Sequence, residues 1–431
     1  MPSLSEKLKS LGVTLGSSAL PATGTKPDKP SQVASNLEEL LSGRWITTTH
    51  GDAYLIETDF PADYPYGASR LSLPGSLDNL AIWAGEPGLI STSPQSIAFV
   101  DTETTGLSGG TGTMAFLIGI GKYEADHFHL AQFFLPDPAN EPAELIAVEE
   151  LLAATSAVVT FNGKSFDLPL LRTRYLLHGW QPPFNGYAHV DLLHLARRLW
   201  RDRLPSRTLG NLEVQILGAS RSEQDIPGWI IPQMYLEYLH TGDPAPLKRV
   251  IYHNAMDILS LAALFNHLSS LMSAPLDADL PHGVDIFALA RLFEDMGLIE
   301  TATRLFIRGL EHPDIISEYV PRSVYLDAIQ RLAGIHKKQE QLNEAIRLWE
   351  LAAHHEHLDA YVELAKYYEH QKEDYIPALE WTQAAIDLLN SPGFPAYERR
   401  AHLPELEHRY QRLKRKQTDT SQLDDETRNP S

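Results

Sequence analysis

Cysteine is absent from all 431 residues, which excludes disulfides and thiolate-held metals and suits a reducing compartment. No run approaches the roughly 18 consecutive apolar residues of a membrane span. Nor does Met1–Gly24 contain an apolar core of signal-peptide length. These absences predict a cytoplasmic protein without a membrane partner. Positive charge is also scarce: 36 Lys and Arg face 56 Asp and Glu, for a net charge of −20. That balance argues against bulk electrostatic attraction to nucleic acid. Any such binding must rest on a local patch, and one is present between Ala157 and Gly210. There Lys164, Arg172, Arg174, Arg197, Arg198, Arg201, Arg203 and Arg207 face only Asp167, Asp191 and Asp202, eight against three, or +5. Hydrophobic content of 43 % and charged content of 21 % are those of a globular protein. The length leaves room for more than one domain.

Against these absences, acidic residues recur in three informative places. Asp101-Thr102-Glu103-Thr104-Thr105-Gly106-Leu107 follows the apolar run Ser96–Val100. Asn162-Gly163-Lys164-Ser165-Phe166-Asp167 follows Ala157–Phe161. His253-Asn254-Ala255-Met256-Asp257 lies inside a helical pattern. On a strand, residues i and i+2 share a face, so Asp101 and Glu103 project together and Thr102 projects away. Gly106 ends the strand, which puts the pair at its carboxyl end, where open α/β sheets place their sites. Hard cations such as Mg²⁺ and Mn²⁺ prefer carboxylate oxygens. Asp101, Glu103, Asp167 and Asp257 are thus four candidate ligands for a pair of such ions.

The three segments resemble the RNase H-like 3′–5′ exonucleases of the DEDD superfamily, over about residues 96–272. In that superfamily the first motif supplies an Asp and a Glu to the metals, here Asp101 and Glu103. The second supplies an Asp after Asn-x-x-x-Phe, here Asn162, Phe166 and Asp167. The third supplies a final Asp, here Asp257, with a Tyr four residues before it or a His five before. Here the two types are exchanged: His253 is four before and Tyr252 five before. Residues four apart share a helix face, which favours His253 as general base, with Tyr252 as the alternative. The resemblance also implies that Thr104, Leu107, Asn162 and Phe166 contact substrate or orient the second motif. Leu204 to Gly218, Arg221 and Asp225-Ile226-Pro227-Gly228 resemble a bacterial subfamily of such nucleases that often carries a helical-repeat tail.

Residues 1–45, rich in Ser, Pro, Gly and Thr, are expected to be flexible. Residues 46–95 carry short strand-like runs and are expected to form a small β-rich extension beside the nuclease region. In 96–272 the order is strand 96–100, strand 114–120, strand 127–134, helix 142–155, strand 157–161, then helices 166–178 and 190–201. That order predicts an α/β fold, an RNase H-like mixed sheet flanked by helices. Residues 284–412 follow as an all-α, TPR-like domain. Leu289-Ala290 with Ala302, Leu332-Ala333 with Ala345, and Leu364-Ala365 with Ala378 mark its units. Ala345 and Ala378 are 33 apart, but Ala302 and Ala345 are 43 apart, so the first unit is irregular. Such repeats usually present a groove to a protein partner. Residues 413–431 read as a disordered tail. Gly106–Thr113 lacks a P-loop ending and reads as a turn, and His354-His355-Glu356-His357 reads as a loop between helices.

The function these features predict is a metal-dependent nuclease. It would be a 3′–5′ exonuclease hydrolysing single-stranded DNA or RNA with two Mg²⁺ or Mn²⁺ ions. An inactive nucleic-acid-binding module, or a scaffold working through the helical repeats, are the alternatives. Because all the candidate ligands precede Ala274, a chain ending there is expected to keep the chemistry.

Overall fold

The computed structural model describes residues 37–428 apart from 73–74, 107–110 and 317–318, with the side chains of 316 and 420–428 also outside it. Nine strands occur among the described residues: β1 Arg44–Thr48, β2 Gly51–Pro61, β3 Pro65–Tyr66, β4 Ser69–Arg70, β5 Ile97–Thr104, β6 Ala115–Tyr123, β7 His127–Phe134, β8 Ala157–Thr160 and β9 Ala188–Asp191. Seven form one mixed sheet in the order β1-β2-β7-β6-β5-β8-β9. The pairs from β1 to β5 are antiparallel, whereas β5–β8 and β8–β9 are parallel. β5, β8 and β9 therefore present their carboxyl ends along one edge.

Around the sheet lie α1 Asp78–Ala84, α2 Glu141–Leu152, α3 Asp167–Leu177, α4 Leu192–Trp200, α5 Leu209–Gln215, α6 Ile231–Thr241 and α7 Leu247–Ser273. Strand alternation decides which helix each residue meets. Ala98 and Val100 of β5 pack with α2 and α3 residues such as Val148 and Leu171. Ile97 and Phe99 pack on the other face with α7 residues such as Ile258 and Phe265. By length and composition α7 could cross a membrane, but 72 % of its most apolar window is buried in the protein. It is the central helix of the core.

The segment expected as a small extension joins the main sheet instead. β1 and β2 extend it through β2–β7 pairing from Tyr54↔Phe134 to Pro61↔His127. Residues 1–36 of the expected flexible segment lie outside the described residues. From 37 the chain is ordered on the sheet, with Leu37 and Leu41 buried and the Leu37 carbonyl accepting from the Tyr54 hydroxyl at 2.8 Å. β9 was not expected: a helix was read from residue 190. Ala188-His189-Val190-Asp191 does alternate apolar and polar, but four residues are too short a run to stand out against the helical period that follows directly.

The C-terminal region is helical: α8 Gly283–Asp295, α9 Ile299–Leu310, α10 Pro313–Ile316, α11 Arg322–Lys338, α12 Leu342–His354, α13 Leu358–His370, α14 Tyr375–Asn390 and α15 Ala396–Arg428. Leu289, Ala290, Ala302, Leu332, Ala333, Ala345, Leu364, Ala365 and Ala378 are all buried where helix pairs meet. The short α10 and its flanking segments lie between the first two pairs, which accounts for the longer 43-residue interval. Residues 355–357 form the turn between α12 and α13. The expected disordered tail begins as helix, since α15 continues to Arg428.

Candidate active site

β5 carries the first two carboxylates to its carboxyl end. Asp101 and Glu103 share the parity of Ile97 and Phe99, so they face α7. Asn254 of α7 donates to Asp101 Oδ2 at 2.9 Å and accepts from Gln132 Nε2 of β7 at 2.8 Å. This bridge needs space over β6. Gly119 is the register partner of Asp101, and a Cβ there would lie 2.3 Å from Asn254 Oδ1. Glycine is required by that approach.

Asp167 arrives from the opposite face. Thr102, projecting away from its neighbours, donates its hydroxyl to Asp167 Oδ1 at 2.5 Å. Asp167 is the first residue of α3, where helix polarity favours an acid. The turn before α3 is held by Asp191, which ends β9. Its carboxylate accepts from the N–H groups of Asn162 (2.8 Å), Lys164 (3.1 Å) and Leu193 (3.1 Å), so one side chain fixes the 162–167 turn and caps α4. Asn162 adopts φ 70°, a left-handed conformation that asparagine tolerates.

α7 brings the last members. His253 and Asp257 lie on one face, with Nε2 to Asp257 Oδ2 at 3.4 Å and to Glu103 Oε1 at 4.0 Å. The other ring nitrogen, Nδ1, meets Asp225 Oδ1 at 2.7 Å. Tyr252 turns elsewhere, its hydroxyl accepting from the Ser222 N–H at 3.1 Å. Arg221 spans the network: it donates to Asp257 Oδ1, binds Glu213 Oε2 at 2.8 Å and lies 3.6 Å from Asp225. Glu213 in turn accepts from Tyr66 and Ser260, which ties Arg221 to the core.

The electrostatics follow from this crowding. Burial, then the charges of Asp257 and Asp167, hold the Asp101 carboxyl well above the usual carboxylate range. Burial also raises Glu103, with Asp101, Asp257 and Asp167 adding to it. Burial pushes Asp167 up to about 6 although the Thr102 hydrogen bond acts the other way. Burial works against the charge of Arg221, but Asp257 and Glu213 hold its guanidinium above the usual arginine range. One guanidinium does not balance this many acids. Ligand atoms of Glu103, His253 and Asp257 lie within 4.8 Å of one another. A hard-oxygen set with one imidazole and uncompensated negative charge fits a divalent cation.

Glu103 and Asp167 line a cleft of about 640 Å³, with Thr102, Thr104, Phe166 and Gly228 also among its walls. Thr104 donates to the Gly106 carbonyl at 2.9 Å, and Phe166 is 56 % exposed. Leu107 lies outside the described residues. Asn162 lines a neighbouring cleft rather than this one. Arg221, Asp225, Asn254 and Glu213 were assigned no role from sequence. Asn254 sits inside the third segment and is open to notice, but Glu213 lies on the short helix α5, and Arg221 and Asp225 on the loop that follows it, with no period linking them to α7.

Residues 98–269 match the RNase H superfamily. YprB of Bacillus subtilis (strain 168) is 33 % identical over 345 residues, covering 77 % of this chain and 79 % of that protein. Among solved structures, the family B DNA polymerase from the hyperthermophilic archaeon Pyrobaculum calidifontis is similar at a TM-score of 0.30 and 15 % identity. That likeness covers 56 % of this chain, which spans only 30 % of the polymerase chain. With this mixed sheet and acidic strand end, residues 98–269 form an RNase H superfamily domain, and the chain belongs to the same family as YprB.

Proposed function

We propose that the protein is a metal-dependent 3′–5′ exonuclease of DEDD type acting on single-stranded DNA or RNA. The observation that carries this reading is the meeting of Asp101, Glu103, Asp167, Asp257 and His253 at one end of β5, beside an open cleft. Asp101, Glu103, Asp167 and Asp257 would hold two Mg²⁺ or Mn²⁺ ions. Such ions supply positive charge that activates water and stabilises charge developing on the phosphate.

The chain's own residues do the rest. Asn254 holds one oxygen of Asp101 and so aims the other. An Nδ1–H donated to Asp225 leaves the His253 Nε2 lone pair facing Glu103 and Asp257, where it takes a proton from the attacking water. Phe166 offers an exposed ring on which the terminal base stacks. Thr104 borders the same nucleotide, and the motif resemblance gives Leu107 a substrate contact. The polarity rests on the resemblance of the three motifs to DEDD exonucleases. We read the helix pairs after α7 as TPR-like repeats, and the whole chain as cytoplasmic.

The test is cleavage of 5′- and 3′-labelled single-stranded DNA and RNA with Mg²⁺ or Mn²⁺. Stepwise shortening from the 3′ end, abolished by chelator and by Asp257→Asn, is expected. Tight binding without cleavage under every metal would favour an inactive binding module. Neither binding nor cleavage would favour a scaffold.

A further inference from the structure

A basic surface begins where the acidic catalytic cleft ends. The 162–167 turn separates two clefts: Ser165, Phe166 and Asp167 line the catalytic one, and Asn162 lines a neighbour of about 510 Å³. Arg197, Arg207, Ser206 and Thr208 also line this neighbour, and no acid lies in its wall. Arg197 belongs at once to a third cleft, of about 490 Å³, with Arg198 and Arg201 of the α4 end, Arg291 of α8 and Arg331 of α11. Asp327 is the one acid lining it. Six arginines thus converge along a continuous surface in a chain of net charge −20.

Ion pairs account for part of this. Arg198 pairs with Asp295, Arg291 with Asp202 and Asp327, and Arg331 with Glu294 and Asp327 at 2.9 and 3.1 Å. They fasten α8 to the end of α4 and α11 to α8. They leave an excess of guanidinium: among the described residues no carboxylate pairs with Arg197, and the Arg207 Nε is buried without a partner. Arg201 is largely exposed, touching only Asp202 at 3.4 Å. Burial, and then the charges of Arg291, Arg331 and Arg201, hold Arg198 below the usual arginine range. Like charges brought this close are costly unless an anion joins them.

We propose that these clefts form a track for the sugar–phosphate backbone of a single-stranded polynucleotide whose end lies in the catalytic cleft. The inference rests on the nuclease reading for the position of that end. Guanidinium forks match phosphate oxygens. The third cleft is lined by five arginines, one aspartate and one histidine, with no apolar residue to seat a base, so it reads the backbone and not the bases. Two of its five arginines, Arg291 and Arg331, come from the helical region. The helical region therefore serves substrate binding directly.

Binding is measured on the full chain by fluorescence anisotropy, apart from cleavage, using labelled poly-U and poly-dT single strands of about four and about twenty nucleotides in Asp101→Asn background. The probe variant is Arg197→Glu with Arg201→Glu, since neither side chain has a strong structural partner. Circular dichroism checks its fold. Affinity for the long strand is expected to fall by about tenfold or more, with the short strand nearly unchanged, and the salt dependence should weaken by roughly 0.7 per lost phosphate contact. Arg197→Lys with Arg201→Lys should restore most of the loss. Equal losses for both lengths, or none for either, would overturn the track. Inorganic phosphate competing as well as the long strand at equal phosphate concentration would overturn it too, showing a small-anion site. A wild-type chain that binds long strands through these arginines but cleaves nothing would sink the catalytic reading and leave the track standing.

Discussion

At the scale of single residues, the site is a problem of excess negative charge. Asp101, Glu103 and Asp167 are each raised by burial and acidic neighbours. Asp101→Asn removes one proposed ligand and one unfavourable buried charge together. Metal-dependent cleavage is expected to vanish, while the melting temperature of the metal-free variant holds or rises. Mn²⁺ should stabilise the wild type and leave the variant unmoved in a thermal-shift titration. A variant stabilised as well as the wild type would remove Asp101 from the ligand set. The histidine makes a second expectation. His253→Ala should slow cleavage by roughly 10²–10⁴, and Asp225→Asn should slow it less, through the lost orientation of the ring. Tyr252→Phe should leave the rate nearly unchanged, because that hydroxyl holds the Ser222 N–H. A rate loss in Tyr252→Phe, with none in His253→Ala, would exchange the roles. The pairing of His253 with Asp257 was legible from their four-residue spacing. The Asp225 contact, 28 residues away, was not, because no local period links a loop to a helix.

Among the elements, α2 holds an instructive buried acid. Glu141 takes the bidentate pair with Arg174, at 2.6 and 2.7 Å, and accepts His178 at 2.9 Å. Glu144, one turn on, is left with both carboxyl oxygens buried and unpartnered. Burial first, then the Glu141 charge, holds it well above the usual range despite Arg174. A group whose folded pKa is raised stabilises the fold below its unfolded value of 4.5, and that contribution is lost as pH rises through the folded value. Glu144→Gln should therefore raise the melting temperature at about pH 8 and change it little at about pH 4. Equal shifts at both pH values would mean that the carboxyl is not the cause. The elements themselves were partly legible. β5, β6, β7, β8, α2 and α3 follow from apolar runs and helical periods. β9 and the membership of β1 and β2 did not, since short strands carry few residues with which to show a period, and which edge they join is a non-local choice.

For the whole molecule, the decisive fact is a shared core. Leu195, Leu199 and Trp200 of α4 and Phe265 of α7 lie in one cluster with Ile286, Phe287, Leu289 and Phe293 of α8. Arg203 fastens to Asp285 at 2.8 Å beside it. Each large apolar side chain uncovered costs about 1.5–3 kcal/mol, and several exceed the roughly 5–15 kcal/mol that holds a typical protein folded. A chain ending at Ala274 is thus expected to aggregate or to lose its cooperative melt by circular dichroism, against the expectation drawn from ligand positions alone. A cooperative melt near the full-length temperature would show that the helical region is a separate body.

The sequence by itself determined what local chemistry can encode. It carried the alternation that aims Asp101 and Glu103 to one face, the helix phase that joins His253 to Asp257, and the small residues that mark the helix pairs. Tertiary structure alone decided what depends on chain segments meeting from afar. Thr102 grips Asp167 across the sheet, Gly119 makes way for Asn254, Arg221 settles on Asp257, and arginines from α4, α8 and α11 share one surface. The physical reason is that periodicity specifies which way a side chain points within its own element. What it meets there is set by how elements pack, and one buried face accepts many partners until the fold chooses.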